Sequence, residues 1–143
     1  MHLQRDEIAF RKHYEMLVTQ QRLTTIFRPG NRIYPNFRGY KQSEIVTARI
    51  IETPGSDEKD IAPVFNQVKM PVQIHEITTF NIFELGENDF SGSSPDVQSV
   101  DQLIEHLIQI YNKPIHTFDN QVTKISLLYL DSKELVKNAT GRR

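Results

Sequence analysis

The apolar positions of "RDEIAFRKHYEMLVTQ", residues 5–20, are spaced for a helix: Phe10, Tyr14 and Leu17 fall at i, i+4 and i+7, and Ala9 and Met16 widen the same face. Asp6 and Glu7 suit the positive end of its first turn. "RLTTIFR" then predicts a strand that Pro29-Gly30 ends, followed by a loop of Gly, Asn and Pro running to Gly39. "EIVTARIIE" is rich in β-branched residues and predicts a second strand. After the polar connection "TPGSDEKDIAP", "PVQIHEIT" predicts a third, with Val72, Ile74 and Glu76 on one face and Gln73, His75 and Ile77 on the other.

"ELGENDFSGSSPDVQ" predicts a long acidic loop, longer than packing alone requires. Ser99 with Gln102 makes a capping-box start for a helix in which Val100, Leu103, Ile104, Leu107, Ile108 and Tyr111 keep helical spacing. Asn112 and Pro114 stop it. "VTKISLLYL" is apolar on both faces, which predicts a strand inside the sheet. The order is helix, strands, helix, strand. It predicts one α+β domain over residues 1–132, on a mostly antiparallel, barrel-like sheet, with a polar, fraying tail over 133–143.

A chain of 143 residues suffices for one core and is short for two. It has no cysteine, which excludes disulfides, cysteine nucleophiles and thiolate zinc sites and fits a reducing compartment. No apolar run approaches the roughly 20 residues of a membrane span, and the start is too polar for a secretion signal. The expectation is a soluble, cytoplasmic protein with no membrane partner.

Charge changes this picture more than composition does. The net charge is −1, yet residues 17–51 carry Arg22, Arg28, Arg32, Arg38, Lys41 and Arg49 against the single acid Glu44. The balancing acids lie largely between Glu52 and Asp101. Any polyanion binding is therefore local. Phe27, Tyr34, Phe37 and Tyr40 interleave with the basic residues, a mixture suited to phosphate and unpaired bases. The competing reading is a solvated loop beside a strand.

Other chemistry is sparse. His2, His13, His75, His106 and His116 show no metal-ligand spacing, so neither metal nor cofactor is expected; His106 is placed on the polar side of its helix. No nucleophile elbow, P-loop or dinucleotide fingerprint occurs. Glu84, Glu87, Asp89 and Asp96 lack the spacing of a calcium loop and read as a solvated segment.

The helix, "RLTTIFR", Gly-containing loop and "EIVTARIIE" at one end, and "VDQLIEHLIQIYNKPI" followed by "VTKISLLYL" at the other, resemble ASCH domains of the PUA-like superfamily over about residues 5–130. The resemblance implies a partly open β-barrel with flanking helices and a cleft lined by the first strand and the loop after it. It implies RNA or a nucleotide-like anion as ligand. Some members are hydrolases acting on a modified nucleoside or on RNA. Their Gly-x-Lys-Thr motif aligns with Gln21, Arg22, Leu23 and Thr24, and the later polar position with Ile26, so the lysine and threonine of the hydrolytic members are apolar here. Leu23 can neither take a proton nor attack a carbonyl. This leans against an enzyme and names no catalytic residue.

The binding expectation is then specific. Arg22, Thr24, Ile26 and Arg28 share one strand face, with Leu23, Thr25 and Phe27 on the other. Arg28 would meet phosphate on the cleft floor, Arg32, Arg38 and Lys41 would clamp from the loop, and Tyr34 or Tyr40 would stack. The alternatives are hydrolysis of RNA or a modified nucleoside, with Tyr34, Lys41 and an acid of the 84–96 loop, and a protein-interaction domain. In the latter the basic segment meets the acidic 52–101 region of a homodimer partner or of its own chain.

Overall fold

The computed structural model describes residues 3, 5–56 and 58–130; the tail predicted over 133–143 lies outside them. The fold is α+β, with five strands and two α-helices among the described residues. Its contacts divide into two compact units, one drawing on the described parts of 1–21, 45–73 and 128–143, the other on 22–44 and 74–127.

In the first unit, β1 (Glu7–Arg11) pairs in parallel with β3 (Ile45–Thr53), and β3 pairs antiparallel with the first part of β4 (Val64–Asn81). The helix predicted over 5–20 is therefore replaced at its start by a strand. Ile8 and Phe10 are buried while Glu7, Ala9 and Arg11 are not, a period of two rather than 3.6. The pairing that selects this state comes from far along the chain: Ala9 registers with Arg49, and the Arg49 guanidinium meets the Glu7 carboxylate at 2.7 Å. The helical spacing survives only as a 3-10 turn (Lys12–Tyr14) and the short α1 (Glu15–Thr19), which buries Tyr14 and Val18.

In the second unit, β2 (Thr25–Pro29) pairs antiparallel with β5 (Gln121–Tyr129), and β5 lies between β2 and β4. Val122, Ile125 and Leu127 of β5 are buried, in keeping with an interior strand. α2 (Val100–Tyr111) has the predicted limits: the Ser99 hydroxyl accepts the Gln102 N–H, and Asn112 ends the helix in the left-handed region. Leu103 and Leu107 of α2 join Phe27, Ile82, Leu85, Phe90, Val97, Ile115 and Val122 in one apolar cluster. His106 is not on the solvent side: its side chain is 17% exposed and Nδ1 lies 3.9 Å from Asp96 Oδ2.

The segment predicted as an acidic loop is built rather than loose. A 3-10 turn (Ile82–Glu84) leads into it, a second (Glu87–Phe90) lies within it, and it buries Leu85, Phe90 and Val97. Asp89 accepts the Gly86 N–H at 2.8 Å and the Lys124 ammonium at 3.0 Å, which ties the segment to β5.

Candidate functional site

The basic loop starts where β2 ends. Gly30, at φ +79°, turns the chain, and Thr123 of β5 fixes the backbone on either side of Asn31. The Thr123 hydroxyl donates to Gly30 O at 2.7 Å and accepts the Arg32 N–H at 2.8 Å. Thr79 Oγ1 of β4 lies 3.1 Å from the same oxygen and 3.2 Å from Asn31 Oδ1. A buried hydroxyl thus sets the backbone from which Arg32 projects.

Further on, Tyr40 N–H donates to Arg32 O at 2.8 Å and Tyr34 N–H to Tyr40 O at 2.9 Å, closing the loop on itself. The Asn36 amide and backbone N–H both donate to Ile33 O, and the Tyr34-Pro35 peptide is cis. A side chain at Gly39 would come within 2.8 Å of Asn36 O and Tyr34 N, so only glycine fits there. The next residue back, Arg38, takes φ +56° and stands exposed.

Arg32 projects from this root and feels the charges of two other arginines of the expected site. Burial pushes the Arg32 guanidinium below the usual arginine range, the Tyr111 hydroxyl of α2 opposes that, and the charges of Arg28 and Arg38 push it further down. Arg32 Nε donates to Pro29 O at 3.2 Å and its guanidinium lies 6.0 Å from the Tyr111 ring centroid. Arg28 Nη1 donates to Phe27 O at 3.3 Å. Guanidinium groups can hold phosphate oxygens bidentately, so arginines on and beside this loop suit an anion.

The same loop carries two exposed rings, each under a cation. Lys41 Nζ is 4.5 Å from the Tyr34 centroid, and Arg38 Cζ is 4.9 Å from that of Phe37. Tyr34 is 46% exposed and Phe37 78%. The sequence pattern includes Phe37 in the basic segment without giving it a role; its neighbour Arg38 is the signal that could have found it. Helical spacing marks Tyr111 only as core of α2, and nothing local in the sequence links it to Arg32.

The remaining expected residues are placed differently. Tyr40 is buried at 5% exposure and braces the loop, so of the two tyrosines expected to stack, Tyr34 is the one at the surface. Ile26 is also 5% exposed and pairs with Ile125, so it forms no open apolar floor. Thr24 is half-buried; its N–H donates to Gly92 O and its C=O accepts the Leu127 N–H. Arg22 is exposed and precedes β2 rather than sharing its face.

In the first unit, Arg11, Lys12, His13, Ile51, Glu52 and Pro54 line a hollow of about 250 Å³. Lys12 Nζ and Glu52 Oε1 are 2.7 Å apart there, and that contact holds the Glu52 carboxyl below its ordinary range. Among the described residues no group of His, Asp and Glu is placed to hold a metal ion, and no helix is long and apolar enough to cross a membrane. No protein family, curated protein or solved structure matches the chain.

Proposed function

We propose that the second unit binds single-stranded RNA through the loop between β2 and β3. The observation that carries this reading is the pair of exposed rings on that loop, each under a cation: Tyr34 under Lys41 and Phe37 under Arg38. Guanidinium groups supply phosphate contacts, and aromatic faces accept unpaired bases of any sequence. The resemblance to ASCH domains points the same way. In this reading Arg28, Arg32, Arg38 and Lys41 contact the backbone, Tyr34 and Phe37 stack, and Thr24 and Tyr40 shape the surface without touching the ligand.

Fluorescence anisotropy of a labelled single-stranded RNA, titrated across salt, tests it. Four phosphate contacts give a log–log salt slope of about −2.8 for a single strand, and the Arg28→Gln/Arg38→Gln variant lowers its magnitude by about 1.4. Affinity that the double variant leaves unchanged removes the loop from the interface.

A further inference from the structure

We infer that the hollow at the end of β1 is a binding site for a small organic carboxylate with a short apolar body. All of its lining residues belong to the first unit, so the inference stands apart from the RNA-binding reading of the loop in the second.

The hollow follows from how two strands run out. β1 stops at Arg11 and the chain turns away through Lys12–Tyr14, while β3 continues to Thr53. Past Ile51, β3 no longer has β1 beside it. On its other side, the pairing of β3 with β4 shifts register both before and after Ile51. Such shifts bend a strand and re-aim its side chains. The space left is about 250 Å³, with Ile51 and Pro54 as its apolar lining. At roughly 30 Å³ per water that is the volume of about eight waters, which suits a small molecule and no polymer.

The charges around it do not cancel. Lys12 Nζ lies 2.7 Å from Glu52 Oε1 and 3.7 Å from Glu15 Oε1, so its ammonium is already matched. Arg11 is half-buried and makes no ion pair among the described residues. It is the direct partner of Ile51 across the parallel pair. Partners in register share a face of the sheet, so an unmatched guanidinium stands next to an apolar side chain. His13, also in the lining, adds charge only when protonated. A carboxylate fits this set: it can take a guanidinium bidentately and brings one charge for one. Its alkyl part then lies against Ile51 and Pro54. A phosphate dianion keeps an unmatched negative charge beside Glu52, which is unfavourable.

The test titrates the isotope-labelled full chain with butyrate near neutral pH and at low chloride, and follows protein signals by NMR. Butyramide, acetate and inorganic phosphate are titrated in parallel. Butyrate is expected to shift the Ile51 methyl and the Arg11 and Glu52 amide signals saturably, about tenfold more tightly than its neutral isostere butyramide. Acetate lacks two methylenes and binds more weakly, by up to about fourfold for each. Arg11→Gln brings butyrate down to the level of butyramide, and Arg11→Lys falls between. Butyramide equal to butyrate removes the carboxylate, acetate equal to butyrate removes the apolar body, and phosphate as tight as butyrate makes the hollow a plain anion site. Each of these overturns the inference, as do shifts confined to other residues or no shift at all. The ligand comparisons use the parent protein, so a poorly folded Arg11→Gln does not blunt them.

Discussion

Thr123 accepts the backbone N–H of Arg32 at 2.8 Å from a fully buried position on β5, and its own proton goes to Gly30 O at 2.7 Å. One hydroxyl therefore satisfies both a donor and an acceptor at the root of the arginine loop. Thr123→Val keeps the shape and leaves both backbone groups without it. The expected cost is about 1–3 kcal/mol in urea unfolding. RNA affinity falls as well, because the Arg32 backbone loses its fixed point. Thr123→Ser retains the hydroxyl and restores affinity. Equal affinity for the Val and Ser variants would separate this hydroxyl from the binding surface.

Gly92 lies at φ +84° and its carbonyl accepts the N–H groups of Thr24 and Thr25 at 2.9 and 3.1 Å. A methyl group there is strained by the backbone and runs into Thr24 Oγ1. Gly92→Ala is expected to destabilise by about 2 kcal/mol or more. Gly86→Ala serves as the control: φ is −103°, and the nearest atom a methyl would meet is Asp89 Oδ2 at 3.9 Å. It stays within about 0.5 kcal/mol of the parent. Thermal unfolding of the two variants side by side distinguishes a specific close approach from a general effect of removing glycine.

Both anchors join residues far apart in the chain, and that is where local pattern stops being informative. α2 carries its own start, spacing and stop in Ser99, Leu103, Leu107 and Asn112, so local pattern suffices. β3 and β5 are legible for a similar reason: β-branched runs with turn residues at their ends. Residues 7–11 are not, because Phe10, Tyr14 and Leu17 keep helical spacing while the deciding partner, β3, lies far along the chain. The basic segment is visible as charge, but charge alone cannot say that Tyr40 faces inward or Phe37 outward. Nor can it place Tyr111 against Arg32, a contact made by tertiary packing alone.

Asp89 has a stability role that pH exposes. The Gly86 N–H and then the Lys124 ammonium hold its carboxyl below the ordinary aspartate range, against a smaller opposing effect of burial. A depressed folded value means the folded state favours the charged form. The contribution is whole above about pH 5 and is lost as pH falls past the ordinary value near 3.9 and through the lower folded one. Asp89→Asn removes it, at about 1–2 kcal/mol near neutral pH, and flattens the acid side of the stability curve. Lys124→Met leaves the Gly86 contact in place, so its acid limb falls between those of the parent and Asp89→Asn. An unchanged acid limb in Asp89→Asn would assign acid sensitivity to other carboxylates.

Phe37 and Tyr34 offer the sharpest separation of function from fold. At 78% and 46% exposure, neither ring contributes much buried area, so Phe37→Ala and Tyr34→Ala are expected to unfold within about 0.5 kcal/mol of the parent. Base stacking on an aromatic face is worth about 1–3 kcal/mol, so each variant should bind single-stranded RNA from about fivefold to more than a hundredfold more weakly. The two rings lose different things with the side chain. Lys41 keeps its ammonium when Tyr34 is truncated and Arg38 its guanidinium when Phe37 is, so the salt dependence of binding should be nearly that of the parent in both. Phe37→Trp restores or improves affinity because it enlarges the stacking face, whereas Phe37→Leu keeps apolar area and restores little. If Phe37→Leu binds as tightly as the parent, the ring acts as a plain apolar contact and the bases do not stack on it.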